Sequence, residues 1–235
     1  LTVADVFFNG AEGDVITIAN DCLLLLSSIE EIEAPEQIKI YHDDVLKALQ
    51  TERNLYQTMI TLVELNYEYQ GVEFDDLPAD VQKQVQEYSE TVIAAIRAIE
   101  KDAVIVVGTP RWSQNVDDAA NDPIIGYDNL MYTLHFYAGT HKEWLRAKGD
   151  YAMSKGLALF VTECGGMNAD GQGPIDVEST EAWIDWMDDN DISYLFWSIS
   201  DKEETCSMLL PSAPSEGPWA EADLRPWGQF VKEQL

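Results

Sequence analysis

From about residue 58 onward, short apolar runs alternate with stretches whose apolar residues recur at helical spacing. Met59 to Leu65 predicts a strand, and Val81 to Glu100 a helix with Val85, Tyr88, Val92, Ile96 and Ile99 on its apolar face. Ala103 to Val107 predicts a strand closed by Gly108 and Pro110, and a loop rich in Asp, Asn and Pro follows. Next come a strand from Leu130 to Phe136, a helix from Glu143 to Lys155 ended by Gly156, and a strand from Leu157 to Thr162. A Gly/Asp-rich loop, Asn168 to Gly173, leads to a helix over Thr180 to Asn190 and a strand over Ile192 to Ile199. Pro226 to Leu235 predicts a closing helix; upstream, Cys22 to Leu26 predicts a strand and Tyr41 to Leu55 a helix.

The strands after residue 58 are continuous apolar runs, as in a parallel sheet buried on both faces. Their alternation with helices gives an α/β fold, barrel or open sheet. No repeat, low-complexity tract or linker divides the chain, so a single domain over residues 1–235 is expected. A (β/α)8 barrel usually takes about 250 residues. Five units after residue 58 leave too little chain before it for three complete ones.

Composition narrows the function. Apolar residues make up 46% of the chain, ample for a core, yet no run approaches the roughly 20 residues of a membrane helix. The N-terminus lacks a basic stretch followed by an apolar one, so no secretion signal is expected within this sequence. With 43 acids against 14 bases and a net charge of −29, nucleic acid is a poor partner, since its backbone requires a positive surface. An acidic, heavily hydrated surface suits a secreted protein, and adaptation to high salt is a second explanation. The three cysteines, Cys22, Cys164 and Cys206, show no metal-ligand spacing and could form at most one disulfide.

Candidate chemistry gathers where apolar runs end. Glu163 closes the run Leu157 to Thr162, and in parallel barrels functional residues collect at such boundaries. Two carboxylates on separate strand ends suffice for glycosidic hydrolysis, one protonating the leaving oxygen and one attacking carbon or activating water. Glu163 is the candidate attacking group and Glu68, with Glu64 competing, the candidate partner. His135 and Tyr137 are two apart and share one side of a strand. Trp197 and Trp112 stand near strand ends, where aromatic faces can carry sugar rings, and Lys202 lies in the following loop. Each of these also fits an ordinary solvated or packing role. Neither a phosphate-cradling glycine loop, nor HExxH, nor a GxSxG elbow occurs.

Four segments then carry a resemblance: VIVVGTPRWSQNVDDAANDPI (Val104 to Ile124), MYTLHFYAGTH (Met131 to His141), ALFVTECG (Ala158 to Gly165) and FWSISDKEE (Phe196 to Glu204). In this order they resemble the cellulases of glycoside hydrolase family 5, retaining endo-β-1,4-glucanases on a (β/α)8 TIM barrel, from about Tyr88 to the C-terminus. The resemblance implies Glu163 as nucleophile, Tyr137 as its hydrogen-bond partner and His135 beside the reacting sugar. It implies Trp197 as a sugar platform, Trp112 on the leaving-group side, and Lys202 with Glu204 at a more distant glucose. Glu68 would be the general acid/base, in Glu64-Leu65-Asn66-Tyr67-Glu68-Tyr69. There Tyr67 stands in place of the family's Asn and Tyr69 in place of its Pro, and Cys164 replaces a tryptophan.

Residues 1–70 match poorly. Ile16 to Leu26 resembles the helix and third strand, with Ser27-Ser28 where the family has Trp-His. The first strand–helix unit and the arginine that braces the nucleophile would be lacking or heavily altered, as in a fragment or a divergent enzyme. The implied protein is a secreted monomer acting on cellulose or soluble β-glucan oligosaccharides, with no metal, cofactor or membrane partner. The alternatives are a catalytically impaired carbohydrate-binding protein on the same scaffold and a related glycanase acting on mannan or xyloglucan.

Overall fold

The computed structural model describes residues 12–30, scattered positions between 47 and 60, and residues 78–234. The chain divides into two compact units, Leu1–Ala103 and Val104–Leu235.

In the first unit, helix α1 spans Glu12–Glu30 and helix α2 spans Ala79–Ile99. The expected strand Cys22 to Leu26 is therefore a correction, because these residues lie inside α1. Ala19 and Leu26 are buried, Cys22 and Leu23 half-buried, and Leu24 and Leu25 exposed, which is burial at i, i+3, i+4 and i+7. A five-residue apolar run cannot distinguish strand from helix, and the length of the continuous element decides. The expected strand Met59 to Leu65 is also corrected where it is described, since Ile60 is helical. The described positions of the expected helix Tyr41 to Leu55, such as Leu49 and Arg53, are helical too. On α2 the buried face centres on Ile93, whereas Ile99, expected on that face, is 91% exposed at the frayed end.

The second unit carries the site. Strands β1 (Ile105–Val107), β2 (Leu130–Tyr137), β3 (Leu159–Gly165) and β4 (Tyr194–Phe196) form one sheet in chain order, every pair parallel. Helix α3 (Val116–Asn121) follows β1, α4 (Glu143–Ser154) follows β2, α5 (Val177–Asp189) follows β3, and α6 (Pro226–Gln234) closes the chain. Parallel neighbours in chain order, each joined by a helical crossover, are consecutive units of a (β/α)8 barrel. The Asp/Asn/Pro-rich loop expected after β1 thus holds a short helix. β4 is shorter than the run Ile192 to Ile199, because Ser198 leaves the sheet to pair with Cys206 and Met208.

β2 shows why the fold holds. Its sequence looks continuously apolar, yet its side chains divide by parity. Tyr132, Leu134 and Phe136 are buried, and Phe136 stacks on Trp183 of α5 at 3.9 Å and 6°. Thr133, His135 and Tyr137 occupy the other face. Leu145, Val161, Trp183 and Met187 complete a core between sheet and helices. A second cluster of Met167, Cys206, Met208, Trp227 and Val231 packs against Tyr137 and Phe196. Gly156, at φ +93, ends α4 in a Schellman closure, with its N–H donating to Met153 O (2.9 Å) and that of Leu157 to Ala152 O (3.2 Å). Gly139 donates to Met167 O at 2.8 Å, and a Cβ there would lie 2.7 Å from that carbonyl, so only glycine lets the loops after β2 and β3 meet.

Candidate active site

His135 and Glu163 are register partners across β2 and β3, and Tyr137 lies opposite Gly165. Glu163 sits inside β3, because pairing continues past the expected end at Thr162 to Gly165. On β2 Thr133 and His135 are two positions apart, but their β3 partners Phe160 and Glu163 are three apart. The β4 side shows the same excess, with Val161 opposite Tyr194 and Cys164 opposite Phe196. One extra residue bulges β3 between Val161 and Cys164 and reverses its parity. As a result, Thr162 and Glu163, which a regular strand would point apart, both reach His135.

The Tyr137 hydroxyl donates to Glu163 Oε1 at 2.7 Å, and His135 Nδ1 stands 3.8 Å from Glu163 Oε2. His135 Nε2 bonds Thr162 Oγ1 at 2.8 Å, Thr162 Oγ1 bonds Thr133 Oγ1, and Thr109 Oγ1 donates to Thr133 O at 3.1 Å. Burial lowers the His135 pKa below its ordinary value and outweighs the opposing pull of Glu163. His135 is therefore neutral at neutral pH, and its 3.8 Å approach is not a salt bridge. Burial, reinforced by the Glu163 carboxylate, pushes the Tyr137 phenol far above its ordinary value, so Tyr137 remains a donor. A hydrogen bond to a charged group contributes about 1.5–3 kcal/mol. Glu163 keeps 27% side-chain exposure, enough for a ligand to reach it.

Trp197 follows β4, its N–H donating to Cys164 O (2.8 Å) and its carbonyl accepting from Trp227 Nε1 (2.7 Å). Its side chain is 38% exposed. Trp112 is 60% exposed, in a turn where Arg111, Trp112 and Ser113 all have positive φ. Ser113 N donating to Thr109 O (3.1 Å) and Gln114 N to Pro110 O (3.2 Å) hold that turn. Lys202 and Glu204 lie in the loop after β4, Lys202 exposed and Glu204 half-buried beside Cys206, whose thiol burial and Glu204 push up to about 11. His135, Tyr137 and Glu163 thus come into direct contact, Trp197 is tied to the residue after Glu163, and no contact joins Lys202 or Glu204 to Glu163 among the described residues. Glu68, Glu64 and Tyr67 lie outside the described residues. Cys164 is fully buried on the core side, its thiol donating to Leu195 O at 3.4 Å, so its small size bears on the core.

Sequence reasoning passed over Thr133, Thr162 and His141. Thr133 was legible in the spacing Thr133, His135, Tyr137; Thr162 was hidden by the bulge. His141 is 4% exposed; its Nδ1 accepts from Tyr137 N (2.8 Å) and its carbonyl from Trp183 Nε1 (2.9 Å). Burial pushes its pKa down to about 4 from the ordinary 6.5. As pH falls below about 6.5 the unfolded chain takes up this proton while the folded one does not, so stability decreases until about pH 4. The loss attributable to His141 is on the order of 3 kcal/mol. Urea unfolding at pH 7 and pH 4.5 should show a larger loss for the parent than for His141→Gln, and equal losses would rule this out.

The Cellulase (glycosyl hydrolase family 5) profile matches residues 37–203. The chain is 53% identical over 129 residues to Endoglucanase Z of Dickeya dadantii, covering 55% of this chain and 30% of that protein. It is 44% identical over 151 residues to an endoglucanase of Clostridium saccharobutylicum, covering 64% and 34%. The catalytic domain of Thermobifida fusca endoglucanase Cel5A, solved in complex with cellotetraose, superposes with a TM-score of 0.60 at 31% identity, over 65% of this chain and 52% of that one. The chain spans about a third of the length of these two curated relatives.

Proposed function

The chain belongs to the cellulases of glycosyl hydrolase family 5, and from that membership we propose that it is a retaining endo-β-1,4-glucanase. The observation that carries the proposal is the Glu163 carboxylate, accepting from Tyr137 at 2.7 Å beside a neutral His135, at the end of parallel strands. A nucleophilic carboxylate must be ionised, partly exposed and fixed in direction. The Tyr137 bond occupies Oε1 and leaves Oε2 for carbon.

Glu163 attacks the anomeric carbon while Glu68 gives its proton to the departing glycosidic oxygen, forming a glycosyl ester and releasing the shortened chain. Water then attacks the same carbon, passing a proton to Glu68, and the ester bond to Glu163 breaks. As the ester forms, Glu163 loses its negative charge and the Tyr137 bond weakens, which leaves the hydroxyl free to face the sugar ring. Trp197 supplies a stacking surface beside the nucleophile, Trp112 one on the leaving-group side, and Lys202 and Glu204 meet a farther glucose. Because the substrate is a polymer that cannot enter a cell, the site of action is outside it. Among the described residues no helix is long and apolar enough to cross a membrane.

The anomeric outcome tests the mechanism. Proton NMR during hydrolysis of cellopentaose should show the β-anomer first, with the α-anomer appearing only by mutarotation. Initial α-product means inversion and rejects the ester. Binding of the oligosaccharide without new reducing ends would favour the impaired, binding-only alternative.

A further inference from the structure

A groove of about 300 Å³ lies between α3 and α4, lined by Asp117, Asn121, Trp144, Ala147, Lys148 and Tyr151. Trp144 and Tyr151 are seven residues apart on α4, two turns or roughly 10.5 Å along the axis and nearly in line. Both are open to solvent, at 49% and 38% exposure. Lys148 lies between them on the same face. Single exposed apolar residues are ordinary, but two large aromatic side chains lining one groove form a patch of the kind that marks binding surfaces.

The polar residues hold the rings in place. Lys148 Nζ binds Asp117 Oδ1 and Asn115 Oδ1, each at 2.9 Å, fastening α4 to α3. The Tyr151 hydroxyl donates to Asn121 Oδ1 at 2.6 Å, which fixes the ring's tilt. The His141 ring meets Trp144 edge-on at 5.8 Å, and Lys155 Nζ lies over the Tyr151 ring, 5.2 Å from its centre.

We propose that this groove is a second carbohydrate-binding site, taking a β-1,4-glucan segment across Trp144 and Tyr151 and separate from the strand-end site of Glu163. The reasoning is chemical. Two aromatic residues whose backbone positions are roughly 10.5 Å apart along one helix face suit a β-1,4-linked chain, which presents the same ring face at every second residue. Polar side chains between and beside them meet ring hydroxyls. Lys148 is already paired with Asp117, and the chain's net charge is −29, so an anionic ligand is disfavoured and a neutral polyhydroxylated one favoured. The site lies on the crossover helices, so a chain held there need not enter the cleft; its role is to keep the protein on the polymer surface.

The proposal rests on the β-glucanase reading, and the test separates the two. Adsorption to amorphous cellulose and cleavage of soluble cellotetraose are measured on the parent, Tyr151→Ala, Tyr151→Phe and Trp144→Ala. Tyr151→Ala should adsorb about tenfold more weakly, the loss of one stacking platform, with cellotetraose cleavage unchanged. Tyr151→Phe keeps the ring and should adsorb like the parent. Trp144→Ala should weaken adsorption to the same extent. Parent-level adsorption by Tyr151→Ala overturns the second site whether or not cellotetraose is cleaved. A parent that adsorbs through Tyr151 yet cleaves nothing instead overturns the glucanase reading alone.

Discussion

Glu163→Ala should lose at least about 10⁴-fold in kcat on soluble cello-oligosaccharides while still folding and binding them. Removing the attacking group of a covalent mechanism typically costs this much or more. Folding should survive, because Glu163 is partly exposed and its side-chain hydrogen bond among the described residues is to Tyr137, whose ring packs against the Met167–Trp227 cluster independently. The shortened side chain leaves room for azide, which can attack the anomeric carbon from the vacated side as the leaving group departs. With an activated aryl cellobioside, azide should restore turnover and yield the α-glycosyl azide. Activity within tenfold of the parent, without azide, removes Glu163 from the role. Tyr137→Phe should act in the same direction but less, about 10- to 100-fold, since it removes only the charged hydrogen bond.

The second large effect concerns the partner carboxylate. Glu68→Ala should lose about 10²- to 10⁴-fold on cello-oligosaccharides, the usual worth of a general acid/base. An aryl cellobioside whose phenolate leaves without a proton should still form the glycosyl ester rapidly, so the deficit there should appear in the second step. Azide then attacks the ester carbon on the face Glu68 served, giving the β-glycosyl azide, opposite in configuration to the Glu163→Ala product. Opposite anomers from the two variants would identify nucleophile and acid/base within one experiment. If Glu68→Ala behaves as the parent and Glu64→Ala shows the deficit, the acid/base is Glu64.

Much of the architecture was legible because hydrophobic periodicity and punctuation agree over long stretches. The helices Glu143–Ser154 and Val177–Asp189 emerge within a few residues of their expected positions, and Gly156 stops the first as expected. Cys22 to Leu26 misled because five consecutive apolar residues carry no period, and only the extent of α1 shows which of them are buried. β2 emerges where its strand was expected, with His135 and Tyr137 on one side as their spacing implies. Tyr132, Leu134 and Phe136 face the core, whereas Thr133, His135 and Tyr137 bring the polar atoms of the other face to Thr162 and Glu163.

The sequence by itself determined the strand–helix order, the acidic character and the residue types able to handle a sugar: two carboxylates, a histidine, a tyrosine and tryptophans. Two residues apart, His135 and Tyr137 had to share a face, because a strand repeats every second residue. Only the tertiary structure decided that Glu163 joins them. A regular β3 would have turned either Thr162 or Glu163 away, and the extra residue between Val161 and Cys164 brings both to His135. A bulge arises from pairing with both neighbouring strands at once, and those partners, such as His135 opposite Glu163 and Tyr194 opposite Val161, lie far away in sequence. Local pattern carries no record of such a register shift, so the direction of Glu163 had to await the assembled sheet.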